Sequence, residues 1–180
     1  MSDRDFEPLG GETIYEGRIF TVRRERFRFV EDGVEVERDV IRHPGAVGVI
    51  AHDDEHVWLV RQPREAIGDP DVLEIPAGRL DKDGESPLAS AQRELAEEIG
   101  KSASDWEPLG SFFSSVGILD EEIHLFLATG LSDESADSGE QERIEVVRWP
   151  LDDLDGALGA TKDSKTLIAL TRLRDRLRAG

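Results

Sequence analysis

Between Gly78 and Gly100 the chain reads GRLDKDGESPLASAQRELAEEIG, and its acidic residues fall at spacings that could do chemistry. Ser86-Pro87 predicts a helix start, with Ser as N-cap and Pro at the first helical position. On that helix Glu94, Glu97 and Glu98 stand at i, i+3 and i+4, so their carboxylates gather on one face. Like charges at this spacing repel, and a helix has no need of them for stability. A bound divalent cation would turn the repulsion into ligation, and hard oxygen donors suit Mg²⁺ or Mn²⁺. Glu85, just ahead of the helix, would add a further carboxylate. A solvated acidic face is the plainer alternative in so acidic a chain, and charge alone does not separate the two.

The full spacing does. Gly78, Glu85, Arg93, Glu94, Leu95, Glu97, Glu98 and Gly100 resemble the Nudix box, G-x5-E-x7-R-E-U-x-E-E-x-G-U, where U is bulky and apolar. Eight specified positions at fixed spacing seldom coincide by chance. There are two departures. Six residues instead of five separate Gly78 from Glu85, and Lys101 stands where an apolar residue is expected. The resemblance implies a mixed sheet sandwiched between helices, with the box forming a loop, a helix and a loop. It also implies Glu94, Glu97 and Glu98 as metal ligands, with the Ala77 carbonyl as a further ligand and Glu85 as an auxiliary one. Arg93 would pair with the box carboxylates and hold them in place. Gly78 would let the backbone approach the metal and the phosphates.

Further segments resemble the ADP-ribose pyrophosphatase branch of that family: Arg42-His43-Pro44-Gly45-Ala46-Val47, Val60-Arg61-Gln62-Pro63-Arg64 and Leu73-Glu74-Ile75-Pro76-Ala77-Gly78. Residues 115–121 and Asp163-Ser164-Lys165-Thr166 extend the likeness, which covers roughly residues 14–175. The branch implies that Arg64 contacts a phosphate, a role suited to a guanidinium fork; pairing with Glu65 or Asp69 is the alternative. Glu121 matches a carboxylate near the terminal ribose or the catalytic water. The general base would be a glutamate on a loop before the last strand, here Glu142 or, close behind, Glu140. Val116 stands where the branch often has proline, and Pro63 where it often has an aromatic residue.

The function these resemblances imply is Mg²⁺-dependent (or Mn²⁺-dependent) hydrolysis of a nucleoside-diphosphate compound, with ADP-ribose giving AMP and ribose 5-phosphate. Other nucleoside-diphosphate sugars or dinucleotides are alternatives within the enzyme class. A nucleotide-sensing module that does not cut is an alternative outside it. The branch commonly forms homodimers through its N-terminal strands, so residues 14–42 are the expected interface, with Tyr15, Phe27 and Phe29 offering stacking surface.

The elements that must position these residues are mostly strands. Residues 1–10 read as a loose leader. Arg24, Arg26 and Arg28 then alternate with Glu25, Phe27 and Phe29, a period of two. Asp32-Gly33 suggests a two-residue turn, which would set Arg28 against Glu37, Arg26 against Asp39 and Phe29 against Val36. The arginine row is thereby neutralised by its own hairpin, with a cationic wall for a diphosphate as the other reading. Residues 46–51 and 56–61 read as buried strands, and 72–75 as a shorter one. Strands also follow at 106–113, 122–129 and 144–149, with a polar acidic loop at 132–142. The box helix carries Leu88, Ala91, Leu95 and Ile99 on one stripe, and a last helix from Ser164 carries Leu167, Leu170, Leu173 and Leu177. The expected class is mixed α/β (α+β): one Nudix domain over residues 1–180, with N-terminal strands to about residue 44 and a catalytic core over 45–180.

Composition bounds the rest. A length of 180 residues with 38% hydrophobic and 34% charged residues suits one soluble domain. No apolar run approaches the length of a membrane span. With no cysteine, disulfides, thiolate metal sites and cysteine nucleophiles are excluded. No secretory signal is legible, so a cytoplasmic location is expected. Forty acidic residues against 22 basic ones give a net charge of −18, a field that repels nucleic acid and anionic membranes. Only four of the basic residues are lysines: Lys82, Lys101, Lys162 and Lys165. Such a surface suits a salt-rich, halophilic cytosol, because salt screens the self-repulsion.

Overall fold

A computed structural model describes residues 5–135 and 143–179, and within it the chain divides into two compact units. One takes the described part of Met1–Gly45 together with Phe113–Glu122; the other takes Ala46–Phe112 and the described part of Ile123–Gly180.

The first unit is an antiparallel sheet of β1 (Phe6–Glu16), β2 (Thr21–Phe29) and β3 (Glu35–Arg42), in that order. The expected leader is a strand from Phe6 onward. Its register on β2 slips between Pro8 and Gly11, a β-bulge whose glycines hide the alternation. A side chain at Gly11 would meet the Arg24 carbonyl oxygen at 2.2 Å, so the close approach requires glycine. The arginine row does face carboxylates, but two residues away from the expected register: Arg28 opposes Glu35, Arg26 opposes Glu37 and Arg24 opposes Asp39. The turn is longer than two residues. Phe29 N–H donates to the Val34 carbonyl and Gly33, at φ 72°, donates back to Phe29. Because strand side chains repeat every two residues, a slip of two keeps every residue on its expected face. Arg24 meets Asp39 at 2.9 Å and Arg28 meets Glu35 at 2.6 Å, so two of the three arginines are answered within the hairpin. Tyr15 and Phe29 are exposed, while Phe27 packs edge-on against Phe6. Residues 113–122 join this unit through Asp120, whose carboxylate accepts from Arg42 Nη1 at 2.9 Å and from the His43 N–H at 2.8 Å.

The second unit holds a mixed seven-stranded sheet. Its strands are β4 (Ala46–His52), β5 (His56–Arg64), β6 (Asp69–Glu74), β7 (Ala77–Arg79), β8 (Lys101–Phe113), β9 (Glu122–Asp133) and β10 (Glu145–Pro150). The order is β10-β5-β4-β9-β8, with β6 beside β5, β7 beside β4, and β4 parallel to β9. Both faces are apolar, as alternation along β4 and β9 shows. Val47, Val49, Ala51, Phe126 and Ala128 pack with Ala91, Leu95 and Ile99 of helix α1 (Pro87–Ile99). Ile50, Ile123, Leu125 and Leu127 point the other way, towards α2 (Leu154–Ala160) and α3 (Ser164–Ala179). The sheet is therefore flanked by helices on both sides, as expected. The sequence reading has no α2, because Gly156 and Gly159 weaken its helical pattern.

Two stripes are shifted. Leu88 is 38% exposed, and Ser90 is fully buried in its place, its hydroxyl accepting from Arg93 Nη2 at 3.3 Å. On α3 the buried face is Thr166, Ala169, Leu170 and Leu173, with Leu167 and Leu177 largely outside it. Thr166 takes a core position because its hydroxyl accepts the Ile75 N–H at 2.9 Å. No described helix is long and apolar enough to cross a membrane.

Candidate active site

Helix α1 is held at both ends. Ser86 Oγ accepts the Ala89 N–H at 3.2 Å, and Gly100 closes the last turn at φ 65°. The longer loop ahead of it turns through Gly84 at φ 77°, with Glu85 N–H donating to the Lys82 carbonyl at 3.1 Å. The second departure from the box also has a structural account. The Lys101 ammonium lies 4.5 Å from the centre of the Trp58 ring and pairs with Asp133 at 2.5 Å. Its stem covers apolar surface while its charge finds an aromatic face and a carboxylate.

Arg93 stands at the centre of the carboxylates. Its Nε and Nη2 each donate to Glu85 at 3.0 Å, and Nη1 donates to Glu94 at 2.5 Å and to Glu97 at 2.8 Å. The bonds to Glu85, then the charge of Glu94, raise the Arg93 pKa further above its already high value. Bonding to Arg93 likewise holds Glu85 below the usual carboxylate range. Glu98 is held from the strand side, where Ala77 N–H donates to its Oε2 at 3.0 Å. Gly78, the next residue, lies directly beneath Glu94. A Cβ there would sit 1.9 Å from Glu94 Cδ, so the absent side chain is what makes room for this carboxylate.

Among the described residues no three acidic or histidine side chains already stand as a ready-made metal cluster. Arg93 and the Ala77 N–H account for the arrangement, since each draws carboxylate oxygens to itself. The donor chemistry nevertheless fits a hard divalent cation. Glu94, Glu97 and Glu98 project from one helix face, and Gly78 opens the backbone beside them.

Arg64 pairs with neither Glu65 nor Asp69. Its Nε and Nη2 grip Glu74 at 2.5 and 2.7 Å, while Asp69 pairs with Lys162 at 3.0 Å. A register shift between Gln62 and Arg64 accompanies this at Pro63. Glu74 is only 1% exposed, and Lys165 also bonds it. Burial alone would raise the Glu74 pKa; Arg64 and Lys165 outweigh it and hold the carboxyl below its usual range. Sequence reasoning gave Glu74 and Lys165 no role. The signal was present in Leu73-Glu74-Ile75, a single carboxylate inside an apolar run.

Glu121 belongs to the first unit, where Ser114 Oγ donates to it at 2.6 Å. His43 Nδ1 stands 3.4 Å from Glu121 and accepts the Gly45 N–H at 3.1 Å. Glu140 and Glu142 lie outside the described residues.

The family model of the NUDIX domain matches residues 42–170. The chain is 38% identical to an ADP-ribose pyrophosphatase of Mycobacterium tuberculosis over 147 residues, 81% of this chain and 70% of that protein. It is 34% identical to the ADP-ribose pyrophosphatase of Bacillus subtilis, over 97% of this chain and 95% of that protein. A methanol dehydrogenase activator of Bacillus methanolicus is 39% identical over 91% of this chain and 89% of its own length. Among solved structures, an ADP compounds hydrolase superposes with a TM-score of 0.85 at 26% identity, covering 99% of this chain and 97% of that one. The chain belongs to the NUDIX family. Within it the chain falls in the ADP-ribose pyrophosphatase branch and is a Nudix diphosphatase.

Proposed function

We propose that this enzyme hydrolyses the diphosphate bond of ADP-ribose to AMP and ribose 5-phosphate. The observation that carries the proposal is the convergence of Glu85, Glu94 and Glu97 on Arg93, with Glu98 on the Ala77 N–H and Gly78 making room for Glu94. Glu94, Glu97, Glu98 and the Ala77 carbonyl are the groups that would hold Mg²⁺, with Glu85 auxiliary and Mn²⁺ an acceptable substitute. A metal ion there supplies neutralisation of the diphosphate charge and a more acidic water. Arg93 keeps the carboxylates oriented, and Gly78 keeps the approach to the phosphates open. Arg64 turns its outer edge to a phosphate. Glu121 serves near the terminal ribose or the water. Glu142, with Glu140 the alternative, takes the proton as water oxygen attacks phosphorus and the bridging P–O bond breaks.

The catalytic core is assigned to residues 45–180 and the pairing surface to the N-terminal strands. Phe6, Ile14, Tyr15 and Phe29 are exposed large apolar side chains on that sheet, which supports a homodimer. Light scattering that returns the mass of one chain would overturn the dimer. A cytoplasmic enzyme acting on a small nucleotide, with no nucleic acid or membrane partner, fits the charge of −18.

A second reading, another nucleoside-diphosphate compound as substrate, is favoured by the similar solved structure, whose name gives ADP compounds in general. One experiment separates them: ADP-ribose, other nucleoside-diphosphate sugars and dinucleotides offered with Mg²⁺, with nucleoside monophosphate release measured. AMP formed fastest from ADP-ribose is expected. No release from any member of the panel would leave a non-cutting nucleotide sensor.

A further inference from the structure

Glu74 and Lys165, 91 residues apart in the sequence, meet behind Arg64. Glu74, at the end of β6, is 1% exposed, and both its oxygens are used. Oε1 accepts Arg64 Nε, and Oε2 accepts both Arg64 Nη2 and Lys165 Nζ. Lys165 itself pairs with Asp163 at 3.0 Å. Asp163 in turn caps the start of α3, accepting the Thr166 N–H at 2.9 Å and its hydroxyl at 2.6 Å. Thr166 Oγ1 accepts the Ile75 N–H, one residue beyond Glu74. The chain of charges therefore ends in the backbone that leads through Pro76 to Ala77 and Gly78.

A buried carboxylate is costly unless it is paired, and its retention here asks for a reason beyond stability. The geometry supplies one. A guanidinium that spends its Nε–Nη2 edge on a fixed carboxylate has its other edge directed away from that carboxylate, in a known plane. The Arg64 side chain is 43% exposed although its partner is buried, so the fork can still meet a ligand. Three residues beyond Glu74 the Ala77 N–H donates to Glu98, so the strand segment that holds the fork's partner leads directly to the box. Lys165 has a separate task. Its ammonium bonds Glu74 Oε2 and fixes the carboxylate that orients the fork, while Asp163 answers its charge.

We propose that Glu74, backed by Lys165, is a positioning residue that presents the Arg64 guanidinium, already oriented, to the substrate diphosphate. The proposal rests on the reading of Arg64 as a phosphate contact. Its consequence is specific to binding. An oriented fork lowers the cost of ordering a flexible side chain in the complex, so its loss should raise KM more than it lowers kcat.

The test is steady-state kinetics with ADP-ribose and saturating Mg²⁺ on Arg64→Ala, Glu74→Gln, the double variant, Lys165→Met and Lys165→Arg. Arg64→Ala should raise KM about tenfold or more, the scale of one lost charge-assisted contact. Glu74→Gln should raise KM several-fold with kcat within about threefold, and the double variant should be no worse than Arg64→Ala. Lys165→Met should raise KM and Lys165→Arg restore it. An unchanged KM in Arg64→Ala would remove the phosphate contact and the proposal with it. If Arg64→Ala behaves as expected while Glu74→Gln matches the wild type, or if the double variant is additive, the positioning role alone is overturned. Should Glu74→Gln fail to fold, Lys165→Met carries the decision, and an unchanged KM there overturns the proposal.

Discussion

At the scale of single residues the box glutamates should fail differently from Glu140 and Glu142. Glu97→Gln and Glu98→Gln should each lower kcat by at least about 10²-fold, the cost of losing an electrostatic element of catalysis. Folding should survive, because a glutamine oxygen can still accept from Arg93 at position 97 and from the Ala77 N–H at position 98. Glu142→Gln, or its double with Glu140→Gln, should cost about 10² to 10⁴ in kcat while leaving KM nearly intact, as loss of a general base does. Near-normal turnover in both single box variants would remove the metal assignment. Gly78→Ala makes a finer point. The new methyl would displace the Glu94 carboxylate, which is the flexible end of a side chain, so the thermal midpoint should hardly move while turnover falls as for loss of Glu94. A fully active Gly78→Ala enzyme would show that Glu94 does not need its present place. Glu74 offers a pH test. Its folded pKa is lowered, so its stabilising contribution is present above the ordinary carboxylate value of 4.5 and is lost as pH falls through the lowered value. The stability difference between wild type and Glu74→Gln should therefore shrink below about pH 4.5; a constant difference down to pH 2 would contradict it.

At the scale of elements, local signals read well where one rule acted alone. The Ser86-Pro87 start and Gly100 end of α1, the buried strands β4 and β5, and the box spacing were all legible. Arg93 was legible as a partner of carboxylates, though not as the hub of three. The failures have physical causes. Strand β1 hides behind a bulge, the β2–β3 turn is longer than Asp32-Gly33 suggests, and α2 is diluted by glycine. The pairing of Arg64 with Glu74 was illegible because it depends on β6 lying beside β5 and on α3 bringing Lys165 up from 91 residues away. The core between α1 and the sheet can be tested directly. Leu95 is fully buried among Val47, Val49 and Phe126, so Leu95→Ala should cost about 2–5 kcal/mol in denaturant unfolding, whereas Leu88→Ala should cost well under that. Equal costs at the two positions would refute the observed orientation of the helix.

At the scale of the whole molecule, charge dominates. With −18 at neutral pH the folded chain repels itself, and screening should relieve it. If the surface is tuned to a salt-rich cytosol, the thermal midpoint should climb steadily from low salt into molar KCl, beyond the range in which simple screening is complete. A midpoint that levels off at ordinary ionic strength would reduce the acidity to a device for solubility. The division of the chain has a different consequence. The polypeptide leaves the larger unit at Phe112 and returns to it at Ile123, lending ten residues to its N-terminal neighbour. In those ten, Asp120 and Ile118 are tied to Ile41, Arg42 and His43 by side-chain and backbone bonds. Trimming the gene to begin at Ala46 would thus strip a borrowed segment of its hosts and leave Asp120 without the arginine that answers it. A chain shortened in this way should therefore lose the backbone pairing of Ile41 with Ile118 and Asp120 along with the strands themselves.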